Sequence, residues 1–128
     1  MVYLIDDDES VRRALQRLLR SAGLDVTAFS SAEEFLQREN LGENRACIIV
    51  DIRMPGLTGF DLQEKLTSKG IRIPVITVSA FDDAQTRERA RKLGATAFFR
   101  KPVDGEALID AIRWAMGVDK HESRPPKS

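Results

Sequence analysis

The chain has 128 residues, 42% of them hydrophobic and 31% charged, which suits one globular domain with a sizeable core. Lys plus Arg and Asp plus Glu both total 20, so bulk charge points to neither a nucleic-acid nor a membrane surface. Cys47 is the only cysteine and His121 the only histidine, which excludes an internal disulfide and leaves no histidine within the predicted fold for Ser–His catalysis or His/Cys zinc sites.

The first predicted element is a strand at "VYLI". A helix follows in which Val11, Leu15, Leu18 and Ala22 share one face, Arg12, Arg13, Gln16 and Arg20 point elsewhere, and Gly23 supplies the stop. "VTAF" reads as a second strand. The next helix opens on Ser30 or Ser31, with Glu33 or Glu34 three residues on as a capping box. "ACIIV" is a third buried strand, in which Cys47 is a small hydrophobe rather than a reactive thiol. After "MPGLTG" comes a helix carrying Leu62 and Leu66, then a strand at "PVITV".

The fourth helix runs from about Asp83 to Leu93 and ends at Gly94. Only Ala84, Ala90 and Leu93 anchor it, so it is expected among the less stable parts of the fold. "TAFF" is the fifth strand. A last helix spans about Asp104 to Met116, with Leu108, Ile109, Ile112 and Ala115 on or beside one face and Trp114 at its flank. Five strands alternating with five helices predict an α/β fold, a parallel sheet covered on both faces through right-handed crossovers. No apolar run approaches the roughly 18 residues that span a bilayer, and no signal peptide opens the chain, so a cytoplasmic protein is expected.

In such sheets ligands bind beyond the carboxyl ends of the strands. The residues standing there are Asp6 and Asp7 after "VYLI", Asp51 after "ACIIV", Ser79 after "PVITV", and Arg100 and Lys101 after "TAFF". Asp8 or Glu9 suits the cap of the first helix. Asp6, Asp7 and Asp51 would instead repel one another unless a hard cation sat among them. Oxygen-only ligands favour Mg²⁺ or Mn²⁺. Asp51, directly after "CIIV", is a costly place for an unneeded charge.

"LIDDDESVRR", "IIVDIRMPGLTGFDL", "VITVSAF" and "FFRKPV" together resemble the landmark motifs of response-regulator receiver domains of two-component systems, in the family's order from Val2 to about Met116. The resemblance implies a doubly wound (βα)5 fold with flavodoxin-like strand order 2-1-3-4-5. It implies that Asp51 accepts a phosphoryl group from a sensor histidine kinase. Asp6, Asp7, Asp51 and the backbone carbonyl of Arg53 would hold Mg²⁺, and Ser79 and Lys101 would contact the phosphoryl oxygens. Ser79 and Phe98 would form the switch, and Lys101-Pro102 resembles a peptide bond that is cis in these folds. Arg53 and Phe81 stand at positions that tune phosphoryl lifetime in the family. "RMPG" is similar to regulators of the nitrogen-fixation/nitrate type, whose output domain is a helix-turn-helix.

The expected product is therefore a phosphoprotein rather than an enzyme, limited to self-catalysed phosphoryl acceptance and slow autodephosphorylation. Its fourth helix and fifth strand would control homodimerisation. Residues 1–118 form the predicted receiver and 119–128, with "ESRPPKS", a tail or interdomain linker toward a DNA-binding output domain. A stand-alone receiver acting by protein–protein contact is the competing expectation. A dehalogenase-type Mg²⁺ phosphatase would want an acid two residues after its nucleophile, where Arg53 stands. No GxGxxG or P-loop is present.

Overall fold

A computed structural model describes residues 1–38, 45–81 and 83–117. Ten elements alternate along the chain: β1 (Val2–Ile5), α1 (Glu9–Ser21), β2 (Val26–Phe29), α2 (Ala32–Leu36), β3 (Cys47–Asp51), α3 (Gly59–Ser68), β4 (Val75–Ser79), α4 (Ala84–Lys92), β5 (Ala97–Arg100) and α5 (Gly105–Ala115). The strands pair in parallel in the order β2-β1-β3-β4-β5, as the motifs imply. The predicted tail, 119–128 with His121, lies outside the described residues.

Side chains alternate across the pleat, so each strand feeds two cores. Val2, Leu4, Ile49, Ile76 and Phe99 pack beneath α1 and α5 with Leu15, Leu19, Leu108 and Ile112. Tyr3, Ile5, Ile48 and Val50 pack on the other face with Phe35, Leu62 and Leu66 from α2 and α3. There Phe35 lies 5.3 Å from the Tyr3 ring and 5.4 Å from that of Phe29, ordinary aromatic spacing. A third, small cluster holds Ile52, Ala90 and Phe98, with Phe60 and Ala95 beside it. Among the described residues no helix is long and apolar enough to cross a membrane.

Two local expectations are refined. In α1 the fully buried residue is Leu19, not Leu18; Leu15 and Leu19 centre the stripe, while Val11 and Leu18 sit at its edges. Leu18 turns toward α5, where a Cβ on Gly105 would lie 2.9 Å from Leu18 Cδ2. Ser31, rather than Ser30, caps α2, accepting from the Glu34 amide at 3.1 Å. A reciprocal capping box appears instead at α3, where Thr58 and Asp61 bond each other's backbone amides. The aspartate there replaces the usual Glu or Gln, which hid it from the pattern.

Gly59 fixes how α3 meets β3. A Cβ there would stand 2.9 Å from both the Asp51 carbonyl oxygen and Ile52 Cα. Only a bare backbone allows α3 to start this close to Asp51. At the other end of the fold, α4 is held lightly: Ala90 is its only buried residue among those described. Gln63 of α3, 2% exposed, donates from Nε2 to the Ala90 carbonyl at 3.3 Å.

Candidate functional site: an acidic cup at the carboxyl edge of the sheet

β1 and β3 are neighbours in register, Ile5 opposite Val50, so Asp6 and Asp51 emerge side by side. One ligating oxygen from each of Asp6, Asp7 and Asp51 lies within 4.8 Å of the others. Asp6 is 1% and Asp51 7% exposed, whereas Asp7 faces solvent. Three carboxylates this close, two of them buried, repel strongly in a medium less polar than water.

Lys101 answers part of that repulsion. Its Nζ lies 3.0 Å from Asp6 Oδ2 and 3.0 Å from Asp51 Oδ2, so one ammonium serves two carboxylates. Its backbone amide donates to the Ser79 carbonyl at 2.8 Å, which ties the start of the β5–α5 loop to the end of β4. The following Lys101-Pro102 bond is cis, as the motif implied. Asp51 also accepts from the Arg53 amide at 3.1 Å, and Asp6 from the Asp8 amide at 2.9 Å.

The electrostatics follow from these contacts. Burial pushes the Asp51 carboxyl above its ordinary range, reinforced by Asp6 and opposed by the hydrogen bond and charge of Lys101. Burial alone would lower the Lys101 ammonium, but the hydrogen bonds and charges of Asp6 and Asp51 outweigh it and raise it. One cation among three acids leaves the cup net negative. A donor set of oxygens alone with residual negative charge fits a hard divalent cation and no softer metal.

The remaining predicted residues divide into two groups. Ser79 is fully buried at the end of β4, and its Oγ accepts from the Phe81 amide at 3.0 Å, leaving its own proton free to donate. Arg53 and Phe81 come together outside the cup: the guanidinium carbon sits 3.9 Å from the ring centroid, and Phe81 is 48% exposed. Arg53 also helps, after the Thr86 amide and hydroxyl, to hold the Asp83 cap of α4 below its ordinary range. Phe98 is not in the cup. It packs with Ala90 and with Ile52, the neighbour of Asp51, with Arg87 over its ring at 4.7 Å.

Sequence reasoning missed two residues. Arg12, expected to point away, turns back and donates from Nη1 to the Asp6 carbonyl at 2.7 Å. Gln63, which the helical pattern did not single out, is buried, and its Oε1 has no partner among the described residues. The Arg12 signal was present as an arginine six residues past the first acid, near enough to fold back over the helix start.

A flavodoxin-like sheet with a lysine-bridged acidic cup at its carboxyl edge defines a class of small α/β domain. The chain belongs to the response regulator receiver domain family, whose model matches residues 2–113. It is 40% identical over 123 residues to the transcriptional regulatory protein FixJ of Azorhizobium caulinodans, covering 96% of this chain and 58% of that protein. Among solved structures it is similar to the response regulator StyR (TM-score 0.84, 41% identity, 94% of this chain and 60% of that one). The crystal structure of FixJ-N is also similar (TM-score 0.81, 32% identity, 90% and 91% covered). The chain spans little more than half the length of the curated relatives it matches. The resemblance to nitrogen-fixation-type regulators therefore holds, and the chain is a receiver domain of two-component response regulators.

The raised Asp51 carboxyl carries a stability consequence. Above about pH 4 the folded protein holds the Asp51 proton longer than the unfolded chain, so this group's contribution falls as pH rises through its folded value. In metal-free protein, Asp51→Asn should raise the urea midpoint at pH 7, and the gain should shrink toward pH 4. A variant less stable than wild type at pH 7 would contradict this.

Proposed function

We propose that this receiver accepts a phosphoryl group on Asp51 from a sensor histidine kinase, with Mg²⁺ held by Asp6, Asp7, Asp51 and the Arg53 carbonyl. The observation that carries the reading is the shared lysine: Asp51 is buried, aimed by the Arg53 amide, and bridged through Lys101 to Asp6. A bound Mg²⁺, or Mn²⁺ in its place, supplies charge neutralisation for the incoming phosphoryl oxygens.

The chain's own residues do the rest. An Asp51 oxygen attacks phosphorus in line, forming the acyl–phosphate bond. The phosphorus–nitrogen bond of the kinase phosphohistidine breaks, its electron pair leaving on the imidazole. Lys101 shifts from bridging two carboxylates to pairing with a phosphoryl oxygen, and the Ser79 hydroxyl donates to another. The product adds about 1.5 to 2 negative charges at this edge.

Because the Phe81 amide is bonded to Ser79 Oγ, a shift of that hydroxyl pulls the β4–α4 loop. Phe98 then rotates toward the space vacated. The lightly held α4, pinned at Ala90 on Phe98 and Ile52, is the element such a shift moves. The α4–β5 surface so altered controls homodimerisation and, through an output domain, DNA binding. Support for that last step is the transcriptional-regulator names of the relatives and their greater length.

The direct test is incubation with a small phosphodonor and Mg²⁺. An acid-stable, base-labile mass increase should appear, require the metal, disappear in Asp51→Asn and shift sedimentation toward dimer. Metal-independent modification, or modification that persists in Asp51→Asn, would refute the reading.

We infer that the Arg53–Phe81 stack, built from the residues two beyond Asp51 and two beyond Ser79, shields the acyl phosphate from water; the guanidinium laid over the ring supports this. An exposed cation–π pair contributes about 0.5–1 kcal/mol, a roughly two- to five-fold change in rate. Arg53→Ala and Phe81→Ala should each shorten the phosphorylated half-life by about that factor. Unchanged hydrolysis in both variants would remove the stack from the account.

A further inference from the structure

Asp6 and Asp51 are pinned by their own side chains, but Asp7 is not. Asp6 is held by Lys101 and the Asp8 amide, Asp51 by Lys101 and the Arg53 amide. Among the described residues the exposed Asp7 carboxylate makes no hydrogen bond or ion pair, although it lies in the cup. Its placement therefore rests on the backbone on either side of it.

That backbone is framed by one residue. The Arg12 guanidinium donates from Nη1 to the Asp6 carbonyl at 2.7 Å, and the Arg12 amide donates to the Asp8 carbonyl at 3.0 Å. Asp7 lies between these two carbonyls. The helical amide bond is a first-turn contact of α1, which the Asp8 cap already organises through Ser10 and Val11. The side-chain bond is of another kind: it is charge-assisted, half-buried, and grips the peptide group that joins Asp6 to Asp7. Asp6 N, donating to the Phe29 carbonyl at 3.2 Å, fixes the other end of the same residue to β2.

We propose that Arg12 is a positioning residue for Asp7, holding the Asp6–Asp7 peptide so that the Asp7 carboxylate faces the divalent cation; this rests on the metal reading above. A plain electrostatic role predicts the opposite outcome on mutation. Arg12 carries a positive charge beside a cation site, so deleting that charge alone should tighten metal binding. Loss of outer-shell positioning weakens it, commonly by about 10- to 100-fold. The sign separates the two.

The test is Mn²⁺ binding to the whole chain, followed by the loss of the free-ion electron paramagnetic signal, in wild type, Arg12→Met, Arg12→Lys and Arg13→Gln. Arg12→Met should bind at least roughly ten-fold more weakly despite losing a positive charge. Arg12→Lys should recover part of that loss, because its ammonium reaches the carbonyl without the planar fork. Arg13→Gln, at an exposed arginine that pairs with Glu9, should bind like wild type. In metal-free protein the Asp8 amide, bonded to Asp6 Oδ1, should exchange faster in Arg12→Met than in wild type. Equal or tighter Mn²⁺ binding by Arg12→Met, or equal weakening by Arg13→Gln, would overturn the proposal. Failure of wild type itself to bind Mn²⁺ would instead overturn the metal reading beneath it.

Discussion

One ammonium shared between two buried carboxylates governs this molecule. Lys101 sits 3.0 Å from both Asp6 and Asp51, which stand at the ends of the neighbouring strands β1 and β3. It lowers the repulsion enough for the acids to coexist in a folded chain, but it does not cancel it, since Asp7 adds a third charge. A buried pair of this kind adds little net stability by itself, because desolvating three ions offsets the attraction. Its value, on the proposed function, lies in leaving net negative charge at the edge where a divalent cation and then a phosphoryl group would bind.

The fold exists to bring that arrangement about. Parallel pairing places the ends of β1, β3, β4 and β5 at one edge, so residues 95 positions apart in sequence meet. Gly59 lets α3 begin against the Asp51 backbone, and the Asp8 cap starts α1 directly after the acids. The opposite requirement holds at α4, which is attached through Ala90, Gln63 and arginines laid on Phe60 and Phe98. An element held this lightly opens at lower free energy than the strands beneath it. Rigidity at the cup and looseness at α4 are complementary demands on one sheet.

Much of this was legible in the sequence. Short apolar runs separated by helical spacing gave the alternation, because parallel buried strands cannot hide their composition. The acids, Ser79 and Lys101 were legible because each follows such a run, and topology brings run ends together. What escaped was what long side chains do after the backbone is set. Arg12 lies on the polar side of the α1 pattern yet folds back over the helix start. Leu19, outside the residues picked for the α1 face, is fully buried, while Leu18 packs at the core's edge beside Gly105 of α5. Gln63 is buried where its amide meets the Ala90 carbonyl of α4, a tertiary contact no local pattern encodes.

The central claim, that the three carboxylates form a cation-completed cup, is tested most directly by thermal unfolding in increasing Mg²⁺. A ligand that binds only the folded state raises the midpoint with its concentration, by about 2.7 kcal/mol of stability at 100 times its dissociation constant. Wild type should show a midpoint that keeps climbing with the logarithm of Mg²⁺ concentration above the dissociation constant, a rise that Asp7→Asn largely loses and Arg13→Gln keeps. A midpoint indifferent to Mg²⁺ in wild type, or an equal rise in Asp7→Asn, would contradict the account.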